Sequence, residues 1–442
     1  MKDPVQRAKQ TIEGAPTSGP QDVSRRRMLS RIAGAAGSTL VVGLVGEAAG
    51  EPTKTGALAP ADPDAFPTVP TWTRQIGAPT GKGYGQPSPH ESAVTRRLYP
   101  GLTQPITAYS TSPLQDLDGG ITPNGLFFER HHAGVPAIDP GKHRLMIHGL
   151  VKEPLLLTVD DIRQFPSVSR IHFIECAGNP SFLPPWGKTA AEVAGLVSCA
   201  EWTGVSLRTL LEEVGLHPDA KWVIAEGADA AAMTRSIPLE KCLDDTLVVY
   251  SQNGERLRPE QGYPLRLVVP GFEGNMNIKW LRRLHVTNAP AYSREETAKY
   301  TDLMPDGRAR KFSFVMECKS IITQPSGSHQ LTRHGAHEIR GIAWSGMGKV
   351  ERVDVSVDGG ATWHKAELQS TVHAKALTAF RAPFPWNGEE RVIMSRAIDE
   401  TGYVQPTLSA LEAARGKNSF YHNNAIQPWR IASDGNVTNG RE

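Results

Sequence analysis

Cysteine is scarce in this 442-residue chain, and its four cysteines, Cys176, Cys199, Cys242 and Cys318, stand far apart. No C-x-x-C pair occurs, which excludes zinc ribbons, thioredoxin-type redox chemistry and cubane iron–sulfur clusters. No C-x-x-C-H occurs either, so no c-type haem is expected in this chain. Charge of one sign is also lacking: the formal net charge is +2, with no basic run along a predicted helix, which argues against a nucleic-acid partner. No apolar run reaches the roughly 20 residues that span a bilayer, so no membrane span is expected in the mature protein. Glycine and proline, by contrast, are plentiful at 42 and 34 residues, which favours strands, turns and ordered loops over helical bundles. Hydrophobic residues at 39% and charged residues at 21% fit a folded chain and exclude a disordered one. A chain of this length is expected to fold as two domains.

Near the start, Ser24-Arg25-Arg26-Arg27-Met28-Leu29 precedes a Gly/Ala-rich apolar run from Ile32 to Val45. A paired arginine before an apolar stretch too short to span resembles a twin-arginine export signal, read by a receptor and used for proteins exported already folded. The run is apolar on every face, which argues against an amphipathic surface helix. Residues 1–50 are therefore expected to be a signal peptide, and the protein to reach the periplasm. Residues 51–100, rich in Pro, Gly, Thr and Ser, are expected to form a linker and extended arm.

From 101 to 288 short strands alternate with helices. His143–His148 is a strand candidate, Leu155–Leu157 another, with a helix beginning near Val159. Ser206–Val214 places Leu207, Leu210, Leu211 and Val214 on one helical face. Leu265–Val269 reads as a buried strand ended by Pro270-Gly271. From about 289 to 430 the chain is expected to be all-β: Val353–Val357 alternates, Asp358-Gly359-Gly360 supplies a turn, and Trp363 opens the return strand. Short strands at this spacing suggest a small sandwich.

The candidate chemistry centres on Cys176, which ends the apolar strand of Ile171-His172-Phe173-Ile174 and opens a glycine loop, Ala177-Gly178-Asn179. A thiolate there can face a cavity, and the glycine lets backbone approach a bulky ligand. By itself, a single cysteine is more often a small buried hydrophobe. Glu175-Cys176-Ala177-Gly178-Asn179, however, resembles the C-A-G-N signature of the sulfite oxidase family, whose cysteine binds molybdenum. Phe128-Glu129-Arg130-His131-His132 is similar to the family's F-x-R-N-H segment. Glu226-Gly227-Ala228-Asp229 and Ser236-Ile237-Pro238-Leu239 resemble its E-G-x-D and S-I-P-L elements. Gly262 to Gly271, then Ile278-Lys279-Trp280-Leu281, resemble its G-[FY]-P-x-R-x-V-x-P-G and [VI]-K-W-[IL] block. Trp344-Ser345-Gly346 and Val353 to Gly360 resemble its C-terminal dimerisation domain. The likeness is collinear over about residues 100–400.

The resemblance implies an α+β molybdenum-cofactor domain at 101–288, followed by an all-β immunoglobulin-like sandwich dimerisation domain at 289–430. It implies molybdenum bound by Cys176 and by a molybdopterin, with the metal passing an oxygen atom while cycling between oxidation states VI and IV. Phe128, Glu129, Arg130, His131, His132, Asp229, Gln261, Arg266, Asn277, Ile278 and Lys279 would bind the pterin. Arg130, Tyr300 and Trp202 would be catalytic, although Arg130 could instead pair with the pterin phosphate and Trp202 could be core. Cys199, Cys242 and Cys318 are expected to be structural. Two departures bear on substrate: Pro180-Ser181-Phe182 stands where sulfite oxidases carry arginine after C-A-G-N, and Gln261 replaces a histidine. Losing a cation there weakens binding of a small dianion and resembles the sulfane dehydrogenase branch of the family. That branch oxidises sulfane sulfur held on a sulfur-carrier protein and passes electrons to a c-type cytochrome. Direct sulfite dehydrogenase activity is the alternative, and a homodimer through the C-terminal domain is expected.

Overall fold

The computed structural model describes residues 84–99, 108–181 and 187–441. The twin-arginine segment and most of the expected linker lie outside the described residues. The alternation at 143–148 becomes the strand Leu145–Gly149, where Leu145 and Ile147 are buried and Met146 between them is exposed. This strand pairs in parallel with Leu281–Thr287. Around that pair the sheet runs Leu155–Leu157, Leu145–Gly149, Leu281–Thr287, Trp222–Gly227, Thr234–Pro238, with every other pairing antiparallel. The helix after Leu157 forms as Val159–Gln164 because Thr158 and Asp161 cap it reciprocally: Asp161 N donates to Thr158 Oγ1 at 3.0 Å, and Thr158 N donates to the Asp161 carboxylate at 2.8 Å. Helix Leu207–Val214 buries the four apolar residues expected of its inner face.

The sheet that carries the candidate chemistry runs Glu255–Arg256, Leu247–Gln252, Val197–Ser206, Ser167–Glu175, with Arg266–Val268 also paired to Leu247–Gln252. Cys176 directly follows the end of Ser167–Glu175. Two antiparallel sheets form the C-terminal sandwich. One orders Lys319–Gln324, Gly335–Trp344, Thr378–Trp386, Glu367–Leu368; the other orders His364–Lys365, Val350–Ser356, Arg391–Asp399, Pro428–Ile431, Val437–Asn439. The turn after Ser356 places Gly359 and Gly360 at φ 72° and 95°, which suits glycine, and returns the chain into His364–Lys365.

Two boundaries, and the content of the second domain, differ from the sequence reading. Arg97–Leu98 pairs with Tyr109–Thr111, so the first domain takes in residues before 101. Val437–Asn439 carries the sandwich past 430. The 289–430 stretch is mostly β but includes two short helices, Arg294–Thr297 and Leu408–Arg415, each started by a side-chain cap that strand periodicity does not reveal.

The apolar core of the sandwich does not stop at its edge. Trp344, Ile321, Phe380 and Trp429 share one cluster with Phe173, Val193, Val197 and Cys199 of the first domain. Charge crosses the same seam. Glu175, fully buried, accepts from Lys319 Nζ at 2.9 Å and Trp344 Nε1 at 2.6 Å, both from the sandwich, and from Asn179 Nδ2 at 2.9 Å. A buried carboxylate is tolerated only when its acceptor positions are filled in this way. Replacing Lys319 by Met is expected to destabilise the protein by about 3–5 kcal/mol, because Glu175 is left buried without its cation. Adding Glu175→Gln should recover most of that loss. Urea denaturation of the single and double variants measures both, and equal loss in the two would show that the pair does not act as a unit.

Candidate functional site

Asn179 fixes the loop that presents Cys176. Its Nδ2 donates to Glu175 and, at 3.0 Å, to Ala194 O, while its N–H closes a turn onto Cys176 O at 2.9 Å. Cys176 N in turn donates to Leu196 O at 2.9 Å. A second segment presses against this loop: a Cβ on Gly274 would sit 2.7 Å from Glu175 O and 3.2 Å from Cys176 Cα, so only glycine allows the approach. Cys176 therefore lies half-buried on the wall of a cavity. Burial pushes its thiol pKa up, against the pull of Arg130.

Most of the expected binding residues meet in this cavity: Phe128, Arg130, His131, His132, Asp229, Gln261, Arg266, Asn277, Ile278, Lys279 and Tyr300 all line it with Cys176. Two do not. The Glu129 side chain turns away to an ion pair with Arg96 and a 3.6 Å contact to His131 Nε2, because alternate residues of the strand Glu129–Arg130 face opposite sides. Trp202 is not a cavity wall: it is fully buried behind the site, donating from Nε1 to His172 O at 3.1 Å, with the Arg266 guanidinium 5.2 Å over its ring. Its expected catalytic role is corrected to that of a core platform. Asn277 borders the cavity, but its amide is used within the fold, accepting from Val269 N at 2.8 Å and donating to Glu273 O at 3.2 Å.

The sequence reading missed Phe127, Ile174, Met233, Gly274, Asn275 and Trp280, which also line the cavity. Asn275 could have been found from its place between the Gly262–Gly271 and Ile278–Leu281 motifs, two residues before Asn277. Neither of its side-chain amide atoms, both buried, has a hydrogen-bond partner. Cys199, Cys242 and Cys318 are all buried, and burial pushes the Cys199 thiol up to about 12, as suits structural positions.

The electrostatics of the cavity are those of an anion site. Arg266 is buried without a carboxylate partner; it donates to Gln261 O and Oε1 at 3.2 and 3.0 Å, and burial lowers its pKa to about 9. Gln261 in turn donates to Phe128 O at 3.0 Å, joining two motifs through one amide. Lys279 donates to Glu260 O at 3.1 Å, and burial, with Arg266 nearby, holds its pKa well below the usual lysine value. Burial drives His131 down to about 3 and His132 to about 4, with Lys279 and Arg130 adding to it, so both rings are neutral at pH 7. His131 Nδ1, Asp229 Oδ1 and Arg266 Nε are buried without hydrogen-bond partners. Such groups are costly until a ligand satisfies them. An anionic ligand rich in donors and acceptors, as a molybdopterin is, fits this set. Among the described residues no three His, Cys, Asp or Glu side chains are grouped to hold a metal ion.

Comparison with known proteins agrees with this geometry. Residues 132–295 match the family described as oxidoreductase molybdopterin binding domain, and 310–428 the Mo-co oxidoreductase dimerisation domain. Sulfite oxidase of Gallus gallus is 34% identical over 320 residues, 65% of this chain and 68% of that protein. The mitochondrial sulfite oxidase of Mus musculus is 34% identical over 327 residues, 68% of this chain, and the chain spans 60% of that enzyme's length. The crystal structure of the sulfane dehydrogenase SoxCD from Paracoccus pantotrophus superposes with a TM-score of 0.82 at 46% identity, covering 84% of this chain and 97% of that one. The chain belongs to the sulfite oxidase family of molybdenum oxidoreductases. Within that family it is similar in structure to the sulfane dehydrogenase.

Arg266→Gln and Lys279→Gln are each expected to weaken cofactor retention by roughly ten- to hundredfold, the worth of one charge-assisted hydrogen bond of about 1.5–3 kcal/mol. Molybdenum and pterin content after gel filtration reports it, and full retention in both variants would rule these residues out as anion ligands.

Proposed function

We propose that this protein is a molybdenum-dependent dehydrogenase that oxidises sulfane sulfur carried on a protein partner and passes the electrons to a c-type cytochrome in the periplasm. The likeness to the Paracoccus sulfane dehydrogenase over nearly the whole of that chain carries the reading. Local chemistry supports it. Ser181, in the stretch where arginine is expected, is neutral, and its Oγ accepts from Asn423 Nδ2 of the sandwich at 3.2 Å. Phe182 lies outside the described residues. The loss of a cation in this stretch favours a bulkier, less charged sulfur group over a small dianion.

Molybdenum–molybdopterin, when bound, supplies two-electron oxygen-atom transfer. The chain's own residues bind and orient. Cys176 offers a soft thiolate to the metal. Arg266, Lys279 and Asp229 hold the pterin by charge and hydrogen bonds. Arg130, on the cavity wall, orients the anionic end of the substrate with its guanidinium. Tyr300 keeps its proton because burial, and next the charge at Cys176, push its pKa up. Its hydroxyl lies 3.3 Å from Nε2 of the neutral His132 imidazole, which orients it towards the substrate. The second reading, oxidation of free sulfite, is favoured by the activity named for the curated relatives and by Arg130.

Purified holoenzyme assayed with a persulfidated carrier peptide and with sulfite is expected to turn over the peptide faster at equal concentration. A sulfite KM in the low micromolar range with no activity on the peptide would reverse the assignment. For the export signal, Arg25→Lys with Arg26→Lys keeps charge but loses the guanidinium fork. That variant should accumulate folded and metal-loaded in the cytoplasm, and normal periplasmic yield on cell fractionation would refute the twin-arginine reading.

A further inference from the structure

Beside the cavity, the structure holds a chain of charged groups that the reaction as described does not use. Arg415 pairs with Glu317. The other Glu317 oxygen meets His422 Nδ1 at 3.2 Å, and His422 Nε2 meets Glu273 Oε2 at 3.2 Å. Glu273 Oε1 accepts from Arg235 Nη2 at 2.8 Å, and Arg235 Nε lies 4.0 Å from Glu296. The side chains of His422, Arg235, Glu273 and Glu296 are all 2% exposed or less, so water screens little between them. Three carboxylates face two guanidiniums, and the set is neutral only when the imidazole carries the third positive charge. The geometry agrees, because both ring nitrogens face carboxylate oxygens and only an imidazolium has two N–H donors.

This chain is tied to the site at three points. His422 N donates to Ala177 O at 2.9 Å, immediately after Cys176. Glu273 precedes Gly274, the residue packed onto the Cys176 backbone. The Arg235 guanidinium lies 5.2 Å over the Tyr300 ring, and Tyr421, next to His422, packs on the same ring at 5.2 Å. Glu273 is therefore linked through Gly274 to the backbone of Cys176 and through Arg235 to the ring of Tyr300.

We propose that His422, supplied by the C-terminal sandwich, is a positioning residue for the molybdenum site: as a fixed imidazolium it neutralises Glu273, holds the Ala177 carbonyl, and through Arg235 keeps Tyr300 in place. The inference rests on reading Cys176 as the metal ligand. Burial opposes charging His422, but the hydrogen bonds and charges of Glu273 and Glu317 more than offset this and raise its pKa to about 10. With a folded pKa above the unfolded value near 6.5, the stabilisation is fully present below about pH 6.5 and is lost as pH rises through about 10.

The test compares wild type, His422→Gln, and His422→Gln with Glu273→Gln. In the metal-free protein the difference in thermal stability between wild type and His422→Gln should shrink as pH rises from 6.5 to 10, and a pH-independent difference would overturn the imidazolium. In protein loaded to equal molybdenum content, His422→Gln should lower the metal's reduction potential in an EPR-monitored titration, because a buried positive charge is lost. It should also lower kcat by roughly ten- to hundredfold with little change in KM, as for a group acting in the chemical step rather than in binding. The double variant, again neutral, should return the potential towards wild type. An unchanged potential in the single variant, or no recovery in the double, would sink the proposal. If His422→Gln does not fold, Glu273→Gln alone decides: its potential should rise, and no rise refutes the electrostatic link. Wild-type protein without molybdenum would instead refute the reading of Cys176.

Discussion

Glu175 is the constraint on which the architecture turns. A carboxylate with no exposed surface, one residue before the candidate metal ligand, must have its lone pairs filled, and no single domain fills them. Asn179 from its own loop, and Lys319 and Trp344 from the sandwich, do so together. The low dielectric that makes the isolated charge costly makes the completed set rigid. The Cys176 loop is therefore held by the second domain as firmly as by its own strand. The shared apolar core has the same consequence: Phe173, on the strand leading to Cys176, packs in one cluster with Trp344 and Ile321.

The cavity reverses this logic. Where Glu175 is satisfied, Arg266 is a buried cation without a carboxylate, Lys279 is half-buried beside it with no ion pair of its own among the described residues, and several polar atoms around them have no partner. A fold that fills one buried charge completely and leaves others unfilled in a neighbouring cavity has reserved the latter for a ligand. The sign of the unfilled charges, the neutral imidazoles of His131 and His132, and the single thiol together define what that ligand must be. It is anionic and offers donors and acceptors.

Arg235, Glu273 and His422 extend the same economy of charge to the far side of the site. Tyr300 is packed between Arg235 and Tyr421, one residue from each domain, so its position depends on the seam between them. The domain that matches the dimerisation family thus also packs against a tyrosine on the cavity wall.

Local pattern alone determined much of this protein. The strand near 145, the Thr158-capped helix, the amphipathic helix at 207–214 and the Asp358–Gly360 turn were legible because each depends on residues within a few positions of one another. The motif residues that line the cavity were legible because family motifs carry them in order. Tertiary structure alone decided that Glu129 faces Arg96, that Trp202 lies behind Arg266 rather than against the cavity, and that Asn277 serves the backbone while Asn275 faces the cavity. It also decided that His422, about 150 residues from Glu273, completes that carboxylate. The physical reason is common to all of these. Which way a side chain points, and whether its charge is satisfied, depends on partners distant in the chain, and neither composition nor period records who those partners are.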